Sequence, residues 1–340
     1  MGLACAARYN AGTGGGRKRM RALVSSRIIP AALVAAAAVA QTPFDFARAE
    51  LRRAAESRRA SPALARIAAE YSMALPPDGF WIQPGVIRGG SRRGLLYGLL
   101  EAAGQVEKRG AIWQSRAEPR FEIRGARLKL SSEHWELPAR EWRALFEALS
   151  HCRMNRLRLE FDGLTPARVE TLGTVAAAAG EYAVDLAVST GETEAALLAR
   201  LLAVSPVFRA VEADAASAPA VLETLAGAGR LVDLETGEAG EALRQQAHDR
   251  HVGLRRLGRG AGALWQAPAG EAVTGLTLDA LEEAGAAGFE LVLPRHWAGV
   301  REEFAVYADL AFKQVAGTSA RRSPAAVPAR RPAPKAKPPR

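Results

Sequence analysis

Apolar positions follow two different rhythms on either side of residue 118. Ahead of it, Phe44, Phe46 and Leu51 fit a helix from about Asp45 to Arg59, rich in Ala and Arg, both good helix formers. Ile67, Tyr71, Met73 and Leu75 suit a strand that ends at Pro76-Pro77. Asp78-Gly79 signals a turn, and Phe80-Trp81-Ile82 begins a return strand. Gly89-Gly90 breaks that pattern. Ser91 then suits the cap of a helix from Arg92 to Lys108, with Leu95, Leu96, Leu99, Leu100 and Ala103 as its apolar stripe. Residues 42–117 therefore read as a small α+β unit.

From Phe121 onward, short strand-like runs alternate with helix-like runs, the pattern of a parallel sheet. Strands are expected at 121–130, 156–161, 183–188, 208–213, 230–235, 251–256, 272–278 and 289–293. Helices are expected at 139–152, 166–180, 192–203, 218–228, 238–249 and roughly 279–287, with a terminal helix at 299–316. The crossover from Gly258 to Gly270 is the irregular one, being rich in Gly and Ala. Eight such strands predict an α/β chain: a compact (β/α)8 (TIM) barrel over 118–317 behind the small α+β domain.

The strands do not read as continuous apolar runs, as buried parallel strands usually do. Leu157, Leu159 and Phe161 alternate with Arg158, Glu160 and Asp162; Val211 and Ala213 alternate with Glu212 and Asp214. Leu231, Asp233 and Glu235 share one side of the next strand, and Val232 and Leu234 the other. Apolar side chains facing the helices leave the acids pointing into the barrel. Charges there must pair or meet solvent. Two arrangements satisfy that demand: a polar cleft at the C-terminal strand ends, where barrel enzymes keep their sites, or an internal ion-pair network using Arg124, Arg158 and Arg255. A strand placed one residue out of phase would produce the same alternation.

Charge changes the picture little. The chain has 46 basic and 36 acidic residues, a net +10. Residues 1–41 hold six basic residues and 318–340 hold seven, with no acid in either, so the body carries 46 − 13 = 33 against 36, or about −3. That argues against a nucleic-acid partner, and none is expected for the folded part. Residues 1–41 have the form of a leader: Arg17-Lys18-Arg19 and Arg21, an apolar run from Ile28 to Val39 too short for a comfortable membrane span, and Ala38-Val39-Ala40 before Gln41 as a cleavage site. Met20 offers an alternative start. A secreted or periplasmic protein without a stable membrane span is expected. The Pro/Ala-rich basic tail, 318–340, should be disordered and suits contact with an anionic envelope surface. Cys152 is the lone cysteine of the mature chain, and neither a metal nor another cofactor is expected from residue spacing.

Asp78-Gly79-Phe80-Trp81-Ile82, Gly94-Leu95-Leu96-Tyr97-Gly98-Leu99-Leu100, Pro119-Arg120-Phe121-Glu122-Ile123-Arg124-Gly125 and Met154-Asn155-Arg156-Leu157-Arg158-Leu159 stand in that order. Together they resemble the domain junction of family 20 glycoside hydrolases (β-N-acetylhexosaminidases) and the related α-glucuronidases. The resemblance covers about residues 65–162. It implies a hexosaminidase-type N-terminal domain, a barrel and a glycan substrate or ligand. It also implies that Arg124, of the Arg124-Gly125 pair, binds sugar hydroxyls with its fixed fork of donors. Asn155, Leu157 and Asp162 keep the family's frame, while Arg158 and Glu160 stand where its histidines would. The family's adjacent Asp-Glu pair has no clear counterpart.

Candidate catalytic residues are Glu212 and Glu235. They end neighbouring strands about 4.8 Å apart, compatible with the roughly 5–5.5 Å between carboxyls of retaining glycosidases. Candidate sugar-binding residues are Arg124, Glu160, Asp162, Asp214, Asp233, His296 and Trp297, the last two as a stacking platform. The expected function is a secreted glycoside-hydrolase-like protein that cleaves O-glycosyl bonds if active. The alternative is a non-catalytic carbohydrate-binding or envelope scaffold protein.

Overall fold

The computed structural model describes residues 42–190, 195–237, 239–269, 273–294, 297 and 299–315. The leader, the tail from 316 and His296 lie outside the described residues. Helix α1 (Pro43–Ser57) starts where the sequence can cap it: Thr42 and Asp45 form a reciprocal capping box, with Pro43 in the first turn. Its buried stripe of Phe46, Ala47, Leu51, Ala54 and Ala55 packs on α2 (Arg92–Arg109). Ser91 Oγ accepts the amides of Arg93 (3.1 Å) and Gly94 (3.2 Å), so it caps α2 as expected.

Between these helices run β1 (Ala68–Tyr71), β2 (Phe80–Gln83) and β3 (Val86–Gly89), followed after α2 by β4 (Ser115–Pro119). The first strand is shorter than the apolar pattern suggests. Tyr71 is 68% exposed and Met73 fully exposed, because β1 is an edge strand whose pairing stops at Tyr71. The glycines of α2 permit close packing. A Cβ on Gly94 would sit 2.4 Å from the Gly79 carbonyl oxygen, and one on Gly98 2.6 Å from an Ile87 methyl.

The barrel strands are β5 (Ile123–Lys129), β6 (Arg156–Phe161), β7 (Asp185–Thr190), β8 (Phe208–Glu212), β9 (Asp233–Thr236), β10 (Leu254–Arg256), β11 (Leu264–Gln266) and β12 (Gly288–Val292). All are parallel, in the order β10-β9-β8-β7-β6-β5-β12-β11, and a single bridge between Leu257 and Leu264 joins the two ends. Around them lie α3 (Ser132–Trp135), α4 (Ala139–His151), α5 (Pro166–Glu181), α6 (Ala195–Val204), α7 (Ala218–Ala226), α8 (Glu241–Asp249), α9 (Gly275–Glu283) and α10 (Val300–Leu310). The α/β barrel with a small accessory sheet is thus the observed architecture. Leu157, Leu159, Val188, Val211 and Leu234 are fully buried on its helix-facing side.

Two elements differ from expectation. The seventh strand is β11, inside the crossover that looked irregular, and not 272–278. Of that segment, residue 272 lies outside the described residues, and Gly275 onward is helix α9. The alternation Val273–Leu278 reads locally as strand. Thr274 Oγ1 instead accepts the Thr277 amide at 3.3 Å, and Leu278 and Leu281, spaced for a helix, become the buried face while Leu276 stays 81% exposed. Between β10 and β11 there is no helix. Gly258, Gly260 and Gly262 all have positive φ and form a tight link. At the C-terminal end, the helix expected to reach 316 stops at Leu310. There β13 (Phe312–Gln314) pairs antiparallel with β4, completing a small sheet in the order β1-β3-β2-β4-β13. Among the described residues, no helix is long and apolar enough to cross a membrane.

Candidate functional site

The barrel interior follows from strand phase. Because Leu157 and Leu159 face the helices, Arg156, Arg158 and Glu160 face inward on β6. Beside them, Gly125 of β5 points inward too: a Cβ there would meet Glu290 Cγ at 2.8 Å. Glycine at this position leaves room for the Glu290 side chain of β12.

Arg158 is the hub. Its side chain is fully buried. Nε donates to Glu290 Oε2 at 2.6 Å, Nη1 to Glu212 Oε2 at 2.8 Å, and Nη2 to Glu290 Oε1 at 3.1 Å and to Glu235 Oε2. Arg156 Nη2 donates to the same Glu235 oxygen at 2.6 Å, and Arg156 Nε lies 3.3 Å from Glu290 Oε1. Gln266 of β11 donates weakly to Glu212 (3.4 Å) and Glu290 (3.3 Å). The inward acids therefore close on inward arginines, the second of the two arrangements open from the sequence. Burial works against the charge on Glu235, but the Arg156 and Arg158 guanidinium groups outweigh it and hold its carboxyl down at about 2. Burial also opposes the charge on Arg158, and its three carboxylate partners more than reverse that.

Glu212 and Glu235 do sit on neighbouring strands as expected, directly paired in register. Their environments differ. Glu235 is sealed, with no exposed surface, whereas the Glu212 side chain, ending β8 at the C-terminal mouth, keeps 25% exposure. Glu160 shares that end of the barrel, 28% exposed, 3.4 Å from Arg127 Nη1. Asp162 is exposed just beyond it. The other candidates disperse. Asp214 uses Oδ1 to accept the amides of Ala216 and Ser217, an Asx turn ahead of α7; the Ser217 amide, foremost, lowers its pKa. Asp233 opens β9 at the opposite, N-terminal end, where it lines a hollow of about 270 Å³ with Arg156, Arg209 and Arg255. Burial raises the Asp233 carboxyl despite Arg255 nearby. Trp297 is half-buried, stacked on His134 (5.7 Å between rings) and tilted on Trp142 (5.3 Å).

Arg124, expected at the mouth, is elsewhere. It faces away from the barrel axis and is fully buried. Nη2 donates to Asp78 Oδ2 at 2.6 Å, Nη1 to the Phe121 carbonyl at 2.7 Å, and Nε to the Arg153 carbonyl at 3.1 Å, with the guanidinium carbon 4.9 Å from the Phe312 ring centre. Asn155 completes this cluster. Its Nδ2 donates to Asp78 at 3.0 Å and its Oδ1 accepts the Arg124 amide at 2.9 Å. Burial opposes the Asp78 charge, yet Arg124 and Arg93 keep its pKa below the ordinary value. The segments that carried the family resemblance thus meet in one buried joint between the small sheet and β5–β6, and in this structure Arg124 has no surface to offer a sugar.

Sequence reasoning missed Glu290 and Arg156. The signal was present for the first: an acid in the middle of the apolar run Phe289–Leu293. Trp135 was also missed. It is half-exposed, edge-on to Phe161 (5.6 Å), and Arg168 stacks 4.9 Å over it, just beyond the C-terminal end of β6.

No family model matches the chain. A search of curated proteins finds no sequence relative. Solved structures do resemble it. One is a family 138 glycoside hydrolase that targets pectin rhamnogalacturonan II, with a TM-score of 0.58 and 11% identity over 80% of this chain. The match spans only 62% of that enzyme's length. Another is a family 20 β-N-acetylglucosaminidase, with a TM-score of 0.47 and 10% identity over 77% of this chain and 86% of that one. At such identities the likeness to the family 138 enzyme is one of fold: the chain has the barrel architecture found in a glycoside hydrolase.

Proposed function

We propose that this protein recognises carbohydrate at the C-terminal mouth of its barrel without hydrolysing it through the Glu212–Glu235 pair. One observation carries the reading: both carboxylates are bound by the single guanidinium of Arg158, and Glu235 is fully buried. A retaining glycosidase needs one carboxyl free to attack and another able to give a proton near neutral pH. A carboxyl held at about 2 gives none. The sugar itself is inferred from the fold it shares with the family 138 enzyme and from the family-20-like segments at its domain junction. The surface concerned comprises Glu160, Asp162, Glu212 and Trp135. Export is a further part of the proposal, motivated by the leader pattern ending at Ala40.

A rival rests on a second observation. Glu160 and Glu212 are inward, partly exposed, and two strands apart. Strand spacing puts such positions about 9–10 Å from each other, close to the roughly 6.5–9.5 Å of inverting glycosidases. Chromogenic glycosides and glycan arrays, run in parallel on the purified chain, separate the two. The expected outcome is glycan binding without turnover, with binding weakened in Glu212→Gln. Turnover in the parent that disappears in both Glu160→Gln and Glu212→Gln would overturn the proposal in favour of the rival.

A further inference from the structure

We propose that Glu50, Glu147 and His151 form a binding site for a divalent transition-metal ion of the zinc class, clipping α1 to α4. The three residues lie on the far side of the helix layer from the barrel interior. Glu147 and His151 are four apart on α4, so they share one face of that helix. Glu50 reaches them from α1. One ligand atom from each falls within 4.8 Å of the others, and His151 Nε2 lies 3.5 Å from Glu50 Oε2. Ligands about 2.0–2.2 Å from a tetrahedral zinc stand roughly 3.3–3.6 Å from each other. The His151–Glu50 pair is already at that spacing, and Glu147 needs a modest side-chain adjustment.

Burial supplies the second, independent observation. Glu50 is 8% exposed, and its Oε1 and His151 Nε2 are buried without a hydrogen bond of good geometry, their contacts being an ion pair to Arg53 and the 3.5 Å approach of His151 Nε2 to Glu50 Oε2. Arg53 Nη2 comes to 2.8 Å from that oxygen, but in a direction that makes no hydrogen bond, and its side chain is 71% exposed, free to swing away. Buried polar atoms held only by long or poorly directed contacts are under-satisfied. A cation between them would satisfy both.

The chemistry fits. Two carboxylates balance a divalent charge, and a neutral imidazole is the commonest nitrogen ligand for zinc and its neighbours. His151 is the last residue of α4, where the helix dipole favours a positive charge. The Phe46 ring, edge-on at 5.7 Å, holds the imidazole in place. Glu50 and His151 also line a hollow of about 200 Å³ with Ser57, Glu107 and Arg301, which leaves the fourth position open to water. Cys152, next along the chain, is not a ligand. It is buried, its thiol pushed up to about 12 by that burial, and it donates to the Arg301 carbonyl instead.

Calorimetric titration of the metal-stripped full chain with Zn²⁺ tests the site, with Mg²⁺ as the hard-cation comparison. One Zn²⁺ per chain is expected, raising the melting temperature, with Mg²⁺ much weaker. His151→Gln and the half-exposed Glu147→Gln should each weaken Zn²⁺ binding by at least about tenfold, since even outer-shell changes cost 10–100-fold. Both should melt in EDTA close to the parent in EDTA. His248→Gln, remote in sequence, should bind as the parent does. If the parent takes up no stoichiometric Zn²⁺, or if Glu147→Gln and His151→Gln bind it unchanged, the site does not exist.

Discussion

Arg158 shows how one residue organises the barrel interior. A guanidinium offers five donors in a fixed plane, and here they engage three carboxylates on three strands. Removing any partner would leave buried charge uncompensated, which is why the centre is held as a set. The linkage to pH follows from Glu235. Its ordinary value of 4.5 falls to about 2 in the folded chain, so the unfolded chain binds a proton first as pH drops. The stabilisation from this carboxylate is complete above about 4.5 and is lost as pH falls towards 2, a change on the order of 3 kcal/mol. Urea unfolding followed across that window should record the fall. In Glu235→Gln the part due to this group should vanish, leaving a less stable protein whose stability depends less on pH. An unchanged slope would mean the carboxylate is not held as described.

At the scale of elements, capping and close packing override average propensity. The helix α2 contains Gly94, Gly98 and Gly104. Intrinsic preference favours alanine at all three by about 1 kcal/mol. Space decides otherwise at two of them, because an added Cβ at Gly94 or Gly98 would strike β2, β3 or the turn before them, whereas nothing lies within 4 Å of Gly104. Gly104→Ala should therefore stabilise the protein by about 0.5–1 kcal/mol. Gly94→Ala should destabilise it by about 1–3 kcal/mol. Chemical denaturation of the two variants beside the parent reads the opposite signs. The same competition explains α9, where the Thr274 cap and the Leu278–Leu281 spacing win over a strand-like alternation.

At the scale of the whole molecule, the Asp78–Arg124–Asn155 joint and the return of β13 to β4 tie the small sheet to the barrel. The last described strand, β13, therefore belongs to the same small sheet as β1–β4. Asp78→Ala leaves the Arg124 guanidinium buried without its carboxylate, a type of change that costs about 3–5 kcal/mol. A single unfolding transition should move to lower urea as one unit. Loss of less than about 1 kcal/mol would show that the joint contributes little.

Local signals made much of this fold legible. The cap at Ser91 and the Leu stripe of α2 lie within a few residues of what they control, so the chain alone specifies them. So does the alternation of Leu157, Leu159 and Phe161 with charged residues, which predicted charged inward positions in a parallel barrel. Local sequence could not say what those charges meet. Arg158 and Glu290 are 132 residues apart, and Arg124 and Asp78 are 46 apart. Pairing at that separation depends on strand order and register, which place Arg158 at the centre of the barrel and turn Arg124 away from it. The family-like segments could be recognised in the chain, but their role as a buried joint emerged only once folding had brought them together. A guanidinium that binds a sugar and one that binds a neighbouring aspartate look the same in sequence; burial and geometry separate them.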